Sequence, residues 1–504
     1  MVKPAGSVFL KLVAFALLLQ WGGANKPNFV IILTDDQDIT LGGMTPMQKA
    51  QSLIGDMGVT FNNAFVTTPV CCPSRTSIIS GLYQHNHRTV NNTEEGNCFG
   101  ERWREEVEPY AFPTVLNSDG YRTFYAGKYL NMYGYTSEGV THVPPGWDWW
   151  IGLAGNSQYY NYSLSVNGTE VKHGDSEEDY LTDLITSYSL DFLRQSDILS
   201  SGFMMMLCPP SAHAPFTPSK KYTDYFRNVT AMKTQNFNLP VGEDKHWLLR
   251  MSPSVLPEST LEILDAHYRN RWETLLSVDD LIESVIMELE SLGVLDNTYI
   301  IYTSDHGFHI GQFAMPWDKR QPYEFDIRIP LLVRGPGVPK GQIISDPVLN
   351  IDIAPTVIDI ANLSSLVELD GKSFKESLAG QNTTGREFVI EYVGEGSDLT
   401  VDEECPLVLD NKLMYCSVDG SCKCQDSRNN TYSCLRRISA AENILYCQFD
   451  DDEAFKEAYD INADPDQLNN LAYQLSADVV SEYESTLQYM STCAGAACNS
   501  PPKQ

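Results

Sequence analysis

Two apolar segments that each end in acidic residues constrain the fold of this chain more than any other feature. Residues 28–34 form a continuous apolar, β-branched run that is followed by Asp35-Asp36-Gln37-Asp38, and residues 298–304 form a second run that is followed by Asp305-His306-Gly307. Such runs are typical of parallel strands that are buried on both faces. Because α/β sheets place ligands beyond the carboxyl ends of their strands, the two acidic ends predict a shared site. Taken alone, the first acidic end is also explained by a solvated turn between a strand and a helix.

Further strands and one long helix extend the α/β pattern. Residues 121–126 precede Gly127-Lys128, and the run 203–207 leads through a proline-containing turn to His213. From 275 to 292 apolar residues recur every three or four positions, which predicts an amphipathic helix with Asp279-Asp280 on its solvated face. Alternating strands and helices predict an α/β core, and the shorter strands beyond it predict an α+β C-terminal part.

A segment with two adjacent cysteines carries the most distinctive chemistry. The run 68–81 contains Cys71-Cys72-Pro73-Ser74-Arg75 and is predicted to enter a helix that ends at Gly81. Cys71 would then lie at the helix N-terminus, where free N–H groups and the helix dipole favour an anion, and Arg75 adds a positive charge one turn later. A cysteine in a secreted chain is commonly a disulfide partner, so this alternative stays open for Cys71.

The N-terminus and the glycosylation motifs indicate passage through the secretory pathway. Lys3, an apolar run over 8–19 and small residues up to Ala24 predict a signal peptide over residues 1–24. No later apolar stretch is long enough to cross a bilayer, so no membrane span is predicted. N-glycosylation is predicted at the Asn-x-Ser/Thr motifs of Asn91, Asn161, Asn167, Asn228, Asn362, Asn382 and Asn429.

The cysteines divide the chain into two parts. Most of the twelve cysteines follow residue 400, which predicts a C-terminal region stapled by disulfides whose pairing the spacing does not fix. A zinc site at Cys422-Lys423-Cys424 is disfavoured because all nine histidines precede residue 310. Polar residues around 380–385 predict the boundary between a catalytic domain, 25–380, and a disulfide-rich subdomain, 381–504.

The overall charge excludes some classes of partner. A formal net charge of −31 argues against nucleic acid and against a broad surface that binds polyanions. An anionic sugar would have to be attracted by a local cationic pocket. In an acidic compartment the chain would lose much of this charge as its carboxylates become protonated.

The string Cys71-x-Pro73-Ser74-Arg75 resembles the signature of the type I, formylglycine-dependent sulfatases. Five further segments, one before this string and four after it, stand in the order in which that family uses them: Asp35-Asp36, Gly127-Lys128, His213, Asp305-His306-Gly307 and Lys319. The resemblance covers nearly the whole mature chain. It implies an alkaline-phosphatase-like large domain with a central, mostly parallel sheet flanked by helices, followed by a smaller α+β domain.

The resemblance also implies a cofactor and roles for the site residues. Cys71 would be converted to 3-oxoalanine (formylglycine) by the formylglycine-generating enzyme, and the hydrated aldehyde would be the nucleophile. The implied ligands of one Ca²⁺ ion are Asp35, Asp36, modified Cys71, Asp305 and His306. Arg75, Lys128, His213 and Lys319 would hold the sulfate, with His213 or Lys319 as the proton donor to the leaving sugar oxygen.

Within the family, the chain is most similar to the members that hydrolyse the 6-O-sulfate ester of N-acetylglucosamine in heparan sulfate or keratan sulfate. The similarity is carried by residues 33–38, 41–46, 85–87, 90–93, 127–131 and 318–321, and by the C-terminal cysteine pattern. It implies a sulfated glycosaminoglycan as the substrate and a lysosomal location, with secretion to the extracellular space as the alternative.

Two positions depart from the family pattern. Many sulfatases have Asn where this chain has His306, and calcium prefers oxygen ligands, so the identity of the ion is open to question. Several sulfatases have a His base where this chain has Leu130, which leaves the base for sulfate release unassigned.

Three other functions remain as alternatives. The extracellular heparan endosulfatases are similar, but they carry a long basic insertion that this acidic chain lacks. A metal-dependent phosphatase or phosphodiesterase would need a Ser or Thr nucleophile, and usually a second metal with more His ligands. An inactive binding glycoprotein would not need the complete set of ligands.

Overall fold

The structure is a computed structural model that describes residues 26–380, 385–406 and 412–500. The predicted signal peptide, 1–24, and the motif at Asn382 lie outside the described residues. The predicted boundary between 380 and 381 adjoins residues that are not described, so it stays a prediction.

The strands and helices alternate over most of the chain. The strands are β1 (Asn28–Thr34), β2 (Val59–Phe61), β3 (Ala64–Phe65), β4 (Arg122–Lys128), β5 (Trp149–Leu153), β6 (Ser163–Val166), β7 (Thr169–Lys172), β8 (Phe203–Cys208), β9 (Thr298–Ser304), β10 (His309–Ile310), β11 (Trp317–Asp318), β12 (Leu331–Arg334), β13 (Gln342–Ile344), β14 (Val348–Leu349), β15 (Arg386–Tyr392), β16 (Leu413–Cys416), β17 (Cys424–Ser427), β18 (Tyr432–Ile438), β19 (Asn443–Phe449) and β20 (Lys456–Asp460). The α-helices are α1 (Gln48–Ala50), α2 (Cys71–Ser80), α3 (Gln84–His87), α4 (Phe112–Ser118), α5 (Leu181–Leu193), α6 (Ile198–Ser201), α7 (Trp247–Arg250), α8 (Glu258–Ser291), α9 (Glu324–Ile327), α10 (Ile353–Ile360), α11 (Lys375–Leu378) and α12 (Ala477–Met490).

A ten-stranded mixed sheet forms the centre of the molecule. Its order is β13-β2-β12-β9-β1-β8-β4-β5-β6-β7. The five central strands, from β9 to β5, are parallel to their neighbours, whereas β12 and β6 pair antiparallel at either side of this block. The predicted α/β class is therefore confirmed, and the sheet is parallel where β1 and β9 end side by side.

Both faces of the sheet are covered, as the apolar runs require. Val30 and Ile32 pack in the cluster that includes the buried residues of α5 and α8. Phe29, Ile31 and Leu33, which alternate with them, pack in the cluster that includes residues of α2, α4 and α10. Because side chains alternate between the two faces of a strand, an unbroken apolar run is needed when helices cover both faces.

The prediction for the long helix needs one correction and one extension. Asp279 is buried, and its carboxylate accepts hydrogen bonds from the Lys49 and Ala50 N–H groups at 2.8 Å each, so its assignment to the solvated face is wrong. The helix also begins at Glu258, well before the predicted start. The spacing of aliphatic residues does not reveal its first half, because buried residues there include Thr260 and Tyr268.

The C-terminal part is an antiparallel sheet with disulfides. Strands β15, β18, β19 and β20 pair in that order, and β16 and β17 form a separate hairpin. The disulfides here are Cys405–Cys422, Cys416–Cys424, Cys434–Cys447 and Cys493–Cys498, which confirms the predicted staples. The sheet packs on the core, since the rings of Phe65 and Phe388 lie 5.4 Å apart.

Among the described residues, no helix combines the length and the apolar character needed to cross a membrane.

Candidate active site

The two acidic strand ends meet, as the sequence predicts. Parallel pairing aligns Thr34 with Ser304, so Asp35 and Asp305 leave the sheet next to each other. The Asp36 N–H donates to the Asp305 carboxylate at 3.1 Å. Asp36 has a φ of 61°, a left-handed conformation that Asp adopts more readily than most residues.

Helix α2 brings Cys71 to these carboxylates. It begins at Cys71 and ends at Gly81, whose φ of 75° closes the helix in a left-handed cap, as predicted. Cys71 is fully buried and unpaired, whereas Cys72 forms a disulfide with Cys98. The Cys71 sulfur lies 3.4 Å from the His306 Nε2 atom. The disulfide alternative therefore applies to the second cysteine of the pair and not to the first.

Cations from α2 and from two further segments neutralise the carboxylates. Arg75 Nε lies 2.8 Å from an Asp305 oxygen, and Lys128 Nζ lies 2.7 Å from an Asp35 oxygen. Lys319 Nζ donates to both Asp36 oxygens at 2.9 Å. His213 lies further out, with its Nε2 atom 3.9 Å from Asp36 and its Nδ1 atom 2.6 Å from the Ala214 carbonyl oxygen. All the predicted site residues thus come together in one place.

Charge and burial shift the titration of the central groups. Burial alone would raise the pKa of the Cys71 thiol, but Lys128 and Lys319 bring that pKa well below its usual range. Burial would likewise raise the pKa of Asp36, and Lys319 lowers it far below its usual value. Burial raises the pKa of Asp305 to about 7 against the opposing charges of His306 and Arg75. The site therefore favours a negative group at position 71.

The same residues form a set of potential metal ligands. Ligand atoms of Asp35, Cys71, Asp305 and His306 lie within 4.8 Å of one another, and a second set combines Asp35, Asp36, Cys71 and His213. Asp35 Oδ2 accepts a hydrogen bond from Lys128 and a short one from Ser157. Asp35 Oδ1 is buried and has no hydrogen-bond partner. This oxygen lies 3.5 Å from the Arg75 Nη2 atom, and a buried carboxylate oxygen that accepts no hydrogen bond, among other carboxylates, suits a hard cation.

A cavity of about 530 Å³ opens above this cluster. Its wall is built from the site, from several loops of the core and from the C-terminal part: Asp36, Asn92, Asn131, Met132, Tyr135, Asn156, His213, Ala214, Phe216, Phe308, Pro316, Trp317, Asp318, Lys319, Arg320, Thr400, Tyr415, Ser417 and Gln425. Its volume is in the range of small-molecule sites in proteins.

Several residues at the site escape sequence reasoning. Ser157 bonds to Asp35, and Arg271 donates to the Asp36 carbonyl oxygen at 2.8 Å and to the Asp38 carboxylate at 2.9 Å. Ser157 lies in a short polar loop after β5, which has no pattern that would single it out. Arg271 lies within α8, where an arginine suggests a solvated face, and only the fold shows that it is buried.

The structure also describes Leu130 and most of the predicted glycosylation sites. Leu130 is fully buried in the core, and its hydrocarbon side chain has no atom that can accept a proton. The predicted glycosylation sites Asn161, Asn167, Asn228 and Asn362 are exposed, and Asn91 and Asn429 are partly exposed. Exposure is compatible with modification, which stays a prediction.

The sheet and the site together define the class of protein, which is a hydrolase with an alkaline-phosphatase-like fold. The family described as Sulfatase matches residues 27–363, and the chain belongs to this family of sulfuric ester hydrolases. The predicted family and enzyme class are thereby confirmed.

Particular relatives narrow the comparison. The chain is 48% identical to the N-acetylglucosamine-6-sulfatase of Capra hircus over 485 residues, which is 95% of this chain and 86% of the relative. It is 40% identical to the extracellular sulfatase SULF-1 homolog of Drosophila melanogaster over 377 residues, which is 73% of this chain but 33% of that relative. A solved protein in complex with its substrate, D-glucosamine-2-N,6-O-disulfate, superposes with a TM-score of 0.68 at 22% identity, covering 92% of this chain and 97% of the other. This last likeness shows the fold.

Proposed function

We propose that the chain hydrolyses the 6-O-sulfate ester of N-acetylglucosamine residues in heparan sulfate or keratan sulfate. The observation that carries the proposal is the unpaired, buried Cys71 at a helix N-terminus, among carboxylates and cations beneath a cavity. The 48% sequence identity to the Capra hircus enzyme, over 95% of this chain, supports the choice of sugar.

We infer that one Ca²⁺ ion binds to Asp35, Asp36, Asp305, His306 and the modified Cys71. Asp35 Oδ1, which accepts no hydrogen bond, and the three carboxylates support a hard cation, and His306 adds a nitrogen to the donor set. When bound, such an ion supplies Lewis acidity toward an oxygen of the sulfate and of the nucleophile.

Modification of Cys71 to formylglycine by the formylglycine-generating enzyme is the second part of the proposal. One hydroxyl of its hydrate would attack sulfur and become sulfated. The second hydroxyl would then lose its proton and re-form the aldehyde as the C–O bond to the sulfate breaks, which divides the hydrolysis into two steps. The surroundings suit this task, because Lys128 and Lys319 stabilise negative charge at position 71.

The cations of the site have separate tasks. Arg75 is fixed by Asp305, and Lys128 by Asp35, so their positive charges are held in place before a substrate binds. Such preorganised charge stabilises a transferring anionic group. Lys319 and His213 line the cavity, where the leaving sugar oxygen would lie. The His213 Nδ1 atom lies 2.6 Å from the Ala214 carbonyl oxygen and so carries a proton, and Nε2 would be the proton donor in the doubly protonated ring.

Location is proposed on the same basis. The relatives include both an N-acetylglucosamine-6-sulfatase and an extracellular sulfatase. The predicted signal peptide supports entry into the secretory pathway, and we propose the lysosome as the destination, with secretion as the alternative.

The test is release of sulfate from defined monosulfated oligosaccharides by the secreted protein. We expect release of sulfate from a 6-sulfated N-acetylglucosamine residue and no release of phosphate from the matching 6-phosphate, which separates a sulfatase from a phosphatase. Mass spectrometry of the peptide that contains position 71 should show an aldehyde in place of the thiol. Active protein with only unmodified cysteine at this position would contradict the mechanism.

A further inference from the structure

The cavity above the site is nearly neutral beyond its floor. Among the described residues that line it, Asp36 and Asp318 balance Lys319 and Arg320. Both cations are already engaged, since Lys319 pairs with Asp36 and Arg320 pairs with Asp318 at 3.0 Å. The part of a substrate that lies beyond the sulfate would therefore be recognised by uncharged groups.

One wall of the cavity carries an unsatisfied hydrogen-bond acceptor. Asn131, three residues after Lys128, is 7% exposed and lines the cavity. Its Nδ2 atom donates to the Asn156 Oδ1 atom at 3.3 Å, which fixes the orientation of the amide. Its Oδ1 atom is buried without a hydrogen-bond partner. Leaving a buried acceptor unpaired is costly, so a donor from a ligand is the partner that this oxygen lacks.

Another part of the wall presents an aromatic ring. Tyr415 belongs to the β16–β17 hairpin, which the Cys416–Cys424 disulfide closes. Tyr415 is 39% exposed and has a φ of 52°, which is uncommon for an aromatic residue and typical of functional positions.

The ring of Tyr415 has a rigid support. The Arg320 guanidinium carbon lies 5.0 Å from the ring centroid. Arg320 is held by Asp318 and by the Tyr392 hydroxyl group at 2.8 Å, so it cannot readily move away. A fixed aromatic face in a cavity is a surface on which the apolar face of a ring can pack at little entropic cost.

We propose that Asn131 and Tyr415 are specificity-determining residues that bind the pyranose ring carrying the sulfate. Asn131 Oδ1 accepts a hydrogen bond from an N–H or O–H group of the sugar, and Tyr415 packs against its C–H face. The choice of N-acetylglucosamine as this sugar rests on the proposed function. Because neither contact involves a charge, sugar binding should depend little on ionic strength.

The experiment measures binding of N-acetylglucosamine without sulfate to the secreted, calcium-loaded protein by ligand-detected NMR. We expect Asn131→Leu and Tyr415→Ala each to weaken this binding about ten-fold, which corresponds to the loss of one good contact. Tyr415→Phe should keep the wild-type affinity because the ring is retained. Tyr110→Ala is the matched control, since Tyr110 is 43% exposed and is not among the residues that line the cavity.

Inorganic sulfate provides a second measurement on the same variants. We expect its affinity to be unchanged in Asn131→Leu and Tyr415→Ala, which shows that the charged floor is intact. Wild-type affinity for N-acetylglucosamine in either variant would overturn the proposal, as would loss of both ligands together or absence of sugar binding by the wild-type protein. If the wild-type protein binds the sugar but releases no sulfate from its 6-sulfate, the proposed function fails and this inference stands.

Discussion

The two unpaired cysteines in the described part of the chain have opposite surroundings. Cys71 lies near Lys128, Lys319 and His306, which favour a negative group. Cys208 lies at the end of β8, and burial raises the pKa of its thiol to about 11. Chemistry at the site should therefore depend on the first cysteine alone.

Replacing Cys71 by Ala should abolish sulfate release, because no other residue at the site can become an aldehyde. The change removes one small buried atom, so we expect a loss of stability of about 1 kcal/mol. Thermal unfolding and sulfate release measure the two effects. Cys208→Ala is the control for loss of a buried thiol, and it should remain active. Activity in Cys71→Ala would exclude covalent catalysis at this position.

Ser157 supports the proposed calcium site through Asp35. Ser157→Ala removes one of the two donors to Asp35 Oδ2 and leaves Lys128 as the other. Loss of a group that orients a metal ligand typically weakens metal binding about 10- to 100-fold. Thermal unfolding as a function of calcium concentration should show this shift.

The comparison for this variant is Ser163→Ala. The Ser163 hydroxyl bonds to the Glu170 carboxylate at the surface, away from the site. Equal calcium dependence in the two variants would show that Ser157 has no role in metal binding.

At the scale of single residues, sequence reasoning finds the groups that stand in short motifs. Asp35, Cys71 and Asp305 could be predicted because a strand end or a cysteine string marks them. Ser157 and Tyr415 could not, since the contact of each with the site depends on how distant segments fold. A lone serine or tyrosine in a loop has the same local sequence whether it faces a ligand or water.

At the scale of elements, strand β4 positions Lys128 through a glycine that tolerates no side chain. Gly127 has a φ of 111°, and a Cβ atom there would lie 2.0 Å from the Cys208 carbonyl oxygen of β8. We expect Gly127→Ala to cost about 3 kcal/mol, because strain and a backbone clash act together. Denaturant unfolding measures the loss.

Gly293, which follows α8, offers the matched variant for Gly127→Ala. It has a φ of 71°, and a Cβ atom there would meet nothing within 4 Å. Gly293→Ala should therefore cost only the conformational strain, about 1 kcal/mol. Equal losses of unfolding free energy in the two variants would mean that β4 and β8 shift to make room for a Cβ atom at position 127.

Elements were predictable where periodicity is simple. The bounds of β1 and β9 agree with the sequence because both strands are apolar on both faces. Helix α8 was predicted only in its second half, since its first half buries polar and aromatic residues such as Thr260 and Tyr268. Buried Asp279 escaped because its partners, the N–H groups at the start of α1, are far away in sequence.

At the scale of the whole molecule, His85 connects the core to the C-terminal part. Its Nδ1 atom lies 2.8 Å from the Glu391 carboxylate, and its Nε2 atom lies 2.9 Å from the Cys493 carbonyl oxygen. Both partners are acceptors, so only the doubly protonated ring satisfies them. Although burial opposes the charge, Glu391 raises the pKa of His85 above its usual 6.5.

This contact predicts a preference for acidic conditions. A histidine with a raised folded-state pKa contributes its full stabilisation below about pH 6.5 and loses it as the pH rises through the folded-state pKa. We expect His85→Gln to lose about 1.5 kcal/mol at pH 5 and much less at pH 8, measured by denaturant unfolding. Glu391→Gln should flatten the pH dependence in the same way. A constant loss from pH 5 to pH 8 would contradict the assignment.

The joining of the two parts was beyond sequence reasoning for a physical reason. His85 and Glu391 are separated by 306 positions, and only the docking of the C-terminal sheet brings them together. The cysteine count predicted the staples of that sheet but not the surface on which it packs.

The complete burial of Cys71 affects how active molecules are made. If Cys71 is modified as proposed, the modifying enzyme would have to reach it before the chain folds, because the side chain is inaccessible in the folded protein. A molecule that folds before this modification would be folded normally but permanently inactive. The specific activity of a purified batch would then report the fraction of chains that were modified at Cys71 before they folded.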